Sequence, residues 1–140
     1  MIDNLSASFS IANSALSAQS QRIRVATENL ANAESTGNTP GADPYTRKII
    51  TFESHLDEAT GVNLVAAAGE DLDTTPYRMA LLPGHPAADK DGYVKFPNVS
   101  LLMELSDIRE GNNSYDANVQ VIKQARDLVN LTIGLLKNTA

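Results

Sequence analysis

The chain has 140 residues, 17 acidic and 11 basic, for a net charge of −6. That is enough for one domain, and it offers no clustered basic footprint for nucleic-acid phosphates. With no cysteine and no tryptophan, disulfides, thiolate zinc sites and a thiol nucleophile are excluded, and a core must come from Ala, Leu, Ile and Val.

The opening Met1-Ile2-Asp3-Asn4 lacks the charged and apolar regions of a cleaved leader, and no window reaches the roughly 18 apolar residues of a membrane span. The expectation is no direct membrane insertion and no cleaved signal peptide. From Leu5, apolar or small residues then recur at Phe9, Ala12, Leu16, Gln19, Ile23, Ala26, Leu30 and Ala33. These alternating steps of 4 and 3 form a heptad seam, which favours wrapping around a partner helix. Across residues 1–33 only Asp3, Arg22, Arg24 and Glu28 are charged. Small polar residues fill the opposite face, and this predicts a helix surrounded by protein that a single chain does not supply.

All six prolines and six of the eight glycines lie between positions 37 and 97, so the helix breakers are confined to the middle. There, Tyr45–Glu53, Val62–Ala66, Tyr77–Leu82 and Tyr93–Phe96 are rich in β-branched and aromatic residues and read as short strands. Polar and Gly/Pro-rich stretches at 69–76 and 83–92 read as connections.

Heptad steps return at Leu101, Leu105, Ile108, Asn112, Tyr115, Val119, Ile122, Arg126, Val129, Ile133 and Leu136. The phase survives Gly111, which predicts one long helix with a soft point. The fold class expected is α+β: long N- and C-terminal helices paired as a coiled coil, with a small antiparallel β region between them. One structural unit is divided as 1–34, 35–98 and 99–140.

Catalytic chemistry has little to work with. His55 and His85 are the two histidines, and no HExxH, GxSxG, GxGxxG or P-loop pattern is present. His85, Asp89 and Asp91 could in principle face a divalent ion, but the spacing is not that of an EF-hand loop and a turn with solvated charges is the plainer reading. Neither an enzyme nor a cofactor nor a metal site is expected.

Residues 22–36 (RIRVATENLANAEST) resemble the NLAN-type helix end of the bacterial flagellar rod, hook and related axial proteins. Ser114–Val119 is similar to that family's aromatic-x-Ala-Asn signature. Two further pieces, Pro40–Lys48 and His85-Pro86 with Asp91–Val94 and Pro97–Val99, are similar to its proximal rod members. The motif positions are Asn29, Leu30, Ala31 and Asn32 in the first helix and Tyr115, Ala117 and Asn118 in the second.

The resemblance implies a structural subunit of the basal-body rod, exported by the flagellar type III apparatus and carrying torque across the periplasm. Its implied partners are copies of itself, other rod subunits and the MS-ring end of the motor. Assembly would use Leu5, Phe9, Leu16, Ile23 and Leu30 against Tyr115, Val119, Ile122, Val129 and Ile133 in an inner helical layer. Asn29 and Asn32 would shape the turn leaving the first helix. The alternative function is a monomeric coiled-coil adaptor or export chaperone.

Overall fold

Heptad spacing at both ends and breakers confined to the middle give two long helices flanking short strands. The computed structural model describes residues 2–138, in the order α1 (Ile2–Ala31), β1 (Lys48–Asp57), β2 (Val62–Leu72), β3 (Arg78–Leu81), β4 (Tyr93–Phe96) and α2 (Leu101–Asn138). No described helix is long and apolar enough to cross a membrane.

The two helices pack antiparallel. Asn29 bonds Glu104, Arg22 pairs with Asp107 and Glu110, and Leu5 and Ser8 line a groove with Ala125, Leu128 and Thr132. α2 runs unbroken through Gly111. A β-carbon there would sit 2.8 Å from Ile23 Cγ1, so the glycine that weakens the helix locally is what lets α1 approach.

α1 is the central element, packed against α2 and also against the β1–β2 hairpin. Its buried side chains are small: Ala12, Ala18, Val25 and Ala26, with Ala33 just past its end. The hairpin thus covers part of the small-residue face that the sequence reading assigned to neighbouring subunits. A short side chain permits close approach from two directions, and one chain supplies both neighbours.

The strands form two separate two-stranded antiparallel sheets, β1–β2 and β3–β4. The linker after β2 is held at Asp73 and Thr75: the Asp73 N–H donates to the Arg47 carbonyl, Asn98 Nδ2 donates to the Asp73 and Thr75 carbonyls, and Arg47 holds the Asp73 carboxylate. β1 begins three residues later than expected, because Tyr45 and Arg47 are taken up in side-chain contacts. β2 continues to Leu72 through Gly69, Glu70 and Asp71, which pair with Thr51, Ile50 and Ile49. Ladder bonds there outweigh a composition that reads as a loop. The β1–β2 turn closes on Gly61, whose φ of 67° suits glycine. Thr60 and Ala59 donate to the Asp57 carboxylate and hold its pKa below the ordinary value.

Candidate assembly surface

A buried polar junction sets how the helices meet the β region. Asn29 is 1% exposed and uses its full hydrogen-bonding capacity. Its Nδ2 donates to the Lys48 carbonyl (2.9 Å) and to Glu104 Oε2 (3.1 Å). Its Oδ1 accepts from the Lys48 N–H (2.9 Å) and the Tyr45 hydroxyl (2.8 Å). Burial, with Glu28, Glu104 and Glu70 nearby, pushes the Tyr45 pKa up to about 12, so the phenol keeps the proton it donates. Asn29 therefore does more than shape a helix end. It docks β1 onto α1, whereas Asn32 Nδ2 donates to the Glu28 carbonyl (2.9 Å).

Arg47 completes the junction. Its Nε donates to Glu104 Oε1 at 2.6 Å, and its Nη1 lies 3.2 Å from Asp73 Oδ2. Partial burial works against the charge, but the bond to Glu104 and the proximity of Glu104 and Asp73 outweigh it and raise the pKa. Glu104 is 1% exposed, and a carboxylate so enclosed persists only when paired and hydrogen-bonded. Around the rim, Lys48 pairs with Glu28 and Arg24 with Glu70.

Beyond this junction α2 is poorly covered. Leu102, Met103, Leu105, Val121, Leu128, Leu131 and Leu135 expose between 46% and 79% of their surface. Val121, Leu128 and Leu135 repeat at seven residues with Leu131 between them, a ridge that borders the groove where Ala125 meets α1 and stays largely exposed along its outer side. Exposed apolar side chains grouped in this way mark an interaction surface, and the described part of this chain leaves them uncovered.

The residues expected at an assembly interface fall in two groups. Leu5, Phe9, Leu16, Ile23 and Leu30 in α1, and Val119, Ile122 and Val129 in α2, are half-buried. Tyr115 and Ile133 are exposed at 39% and 46%. Ile23 rests on Gly111. Ala31 and Ala117 face solvent, and Asn118 Nδ2 donates to the Ser114 carbonyl. Sequence reasoning missed the roles of Tyr45, Arg47, Asn98 and Glu104. The first three lie inside the motifs that carry the resemblance, and Glu104 stands alone as a charge in the run Leu-Leu-Met-Glu-Leu. The 83–92 segment is a turn: the Asp89 carboxylate accepts from the Asp91 and Tyr93 N–H groups, and His85 Nδ1 from the Ala87 N–H.

The sequence profile described as "Flagellar basal body rod FlgEFG protein C-terminal" matches residues 90–135. A flagellar basal-body rod protein FlgC from Agrobacterium fabrum is 54% identical over 136 residues, covering 97% of this chain and 98% of that protein. The protein of the same name from Salmonella typhimurium is 39% identical, covering 91% and 94%. That from Borreliella burgdorferi is 32% identical, covering 95% and 98%.

Proposed function

The chain belongs to the family of flagellar basal-body rod proteins FlgC, and on that premise we propose that its helix pair is built into the shaft, with the uncovered face of α2 packed against neighbouring subunits. It is a structural subunit of the basal-body rod and associates with other basal-body components. In the proposed arrangement Leu5, Phe9, Leu16, Ile23 and Leu30 form an inner layer with Tyr115, Val119, Ile122, Val129 and Ile133. That layer carries motor torque across the periplasm. The partners are further copies of this chain, the other rod subunits and the MS-ring end of the motor, reached through the flagellar type III export apparatus.

The observation that carries this reading is the leucine ridge of α2. Fully burying each such side chain contributes roughly 1.5–3 kcal/mol, and the isolated subunit forgoes about half of it or more at Val121, Leu128 and Leu131. In contrast, the buried apolar side chains are Ala12, Ala18, Val25, Ala26, Ala33, Ala87, Val94, Pro97 and Ala125 among the described residues. So small a core suits a subunit that travels unfolded and is firmed by its neighbours.

The test is Leu128→Asp with Leu131→Asp. Both side chains are more than half exposed, so the purified subunit should stay folded, its unfolding free energy changing by no more than about 2 kcal/mol. Cells carrying the pair should be non-motile, with the subunit absent from purified basal bodies. Wild-type swimming would overturn the proposal and favour a monomeric adaptor.

A further inference from the structure

We infer that the outer edge of β1 pairs with the same edge of a second copy, antiparallel and two-fold about Ser54, so that the two hairpins join into one sheet. This contact lies outside the helix layer proposed above and does not depend on it.

Backbone geometry leaves that edge open. In an antiparallel ladder, alternate residues turn both their polar groups to the partner strand. Contacts at both ends and in the middle fix the phase. The Asn29 side chain takes both the N–H and the carbonyl of Lys48, so the even-numbered residues of β1 point away from β2. At the far end the Asp57 carbonyl accepts from Gly61 inside the hairpin turn. Opposite Ser54, Val65 gives its N–H to Ser14 Oγ and not to β1. Asn29 and Ser14 thus close parts of the two hairpin edges. Among the described residues, no loop or side-chain hydrogen bond reaches the backbone of Phe52, Ser54 or Leu56, and α1 and β2 are the elements packed against β1. An open edge of this kind is a template for another strand.

The segment on this edge is complementary to its own reverse. In Phe52-Glu53-Ser54-His55-Leu56, pairing about Ser54 sets Phe52 opposite Leu56 and Glu53 opposite His55 of the other copy. Phe52 and Leu56, 38% and 60% exposed, share a face with Val65, and the contact covers them. Glu53 and His55 are exposed on the other face. They fall at the close pairs of the new ladder, with Cα atoms about 4.5 Å apart. An imidazole N–H there bonds a carboxylate whether the ring is neutral or charged. Slipping the register by two residues sets Glu53 against Asp57 in one direction and against Glu53 in the other, so charge selects this alignment. A two-fold contact closes on itself and does not extend. It therefore serves the free subunit, hiding an edge on which unassembled chains would aggregate.

Sedimentation of the full chain carrying Leu128→Asp with Leu131→Asp tests this without association through α2. This parent should form a concentration-dependent dimer and nothing larger. Adding His55→Glu sets acids against acids, and adding Glu53→Lys with His55→Lys sets lysines against lysines. Each alone should dimerise at least about tenfold more weakly, and an equimolar mixture should recover the dimer. Ser54→Pro removes an N–H that β2 does not use, so it should abolish the dimer with unchanged circular dichroism. A parent that stays monomeric or grows beyond the dimer, or a Ser54→Pro variant that dimerises as well as its parent, would overturn the inference. Motility reports on the rod reading separately. A monomeric parent whose strain cannot swim removes the β1 contact and leaves the rod reading standing, and a dimeric parent whose strain swims does the reverse.

Discussion

α1 and α2 share one heptad device and end in opposite conditions. α1 lies between α2 and the β1–β2 hairpin, and its small side chains vanish beneath both. In α2 only Glu104, Gly111 and Ala125 are fully buried among the described residues, and its leucines stand in solvent. The difference follows from side-chain size. Alanines at the contact let two elements close on one helix, whereas the larger apolar side chains at the two ends of α2 need more surface than this chain has left to give. The covered helix organises the subunit, and the uncovered one is available to the assembly.

The sharpest way to break that contrast is at the junction. Arg47→Ala removes the cation beside Glu104 while leaving the carboxylate 1% exposed. The expected loss is about 3–5 kcal/mol in urea unfolding. A loss below about 1 kcal/mol would mean that Glu104 does not depend on Arg47.

Next comes the helix contact itself. Gly111→Val drives a side chain into Ile23, and overpacking of this kind costs about 1–3 kcal/mol. Adding Ile23→Ala should make the double variant less destabilised than the sum of the two single changes, because the two residues share one space. Simple additivity would show that they do not.

Acid offers a smaller effect. The Thr75 backbone N–H and hydroxyl, and then Arg47, hold the Asp73 carboxyl below its ordinary value of 3.8. With the folded value depressed, this stabilisation is complete above the unfolded value and is lost as pH falls through the folded one. The urea midpoint should hold above about pH 5 and decline below pH 4, and Asp73→Asn should flatten part of the decline.

The mildest contrast is between the two helical glycines. Gly134 has nothing within 4 Å of where a β-carbon would stand, so Gly134→Ala should stabilise the isolated subunit by about 1 kcal/mol. A loss of stability by thermal unfolding would contradict the open site.

The helices were legible because a 3.5-residue repeat over tens of residues can hardly be anything else. Strand positions were readable to within a few residues, since β-branched clusters mark them. The far half of β2 was not: Gly69, Glu70 and Asp71 belong to a strand only because β1 holds them there. The candidate surface was half legible. Apolar positions in α1 and α2 could be named, but which of them turn inward could not, because both sides of α2 are apolar.

The sequence by itself determined two long helices, a β region between them and the absence of thiol chemistry, because these depend on residues close together in the chain. Only the tertiary structure decided that Asn29, Tyr45, Arg47 and Glu104 form one buried junction, that Gly111 is where Ile23 rests, and that α2 carries the uncovered ridge. Those facts depend on which segments meet across long stretches of chain, as in the pairing of Arg22 with Glu110, 88 positions apart. A local pattern holds no record of such a meeting.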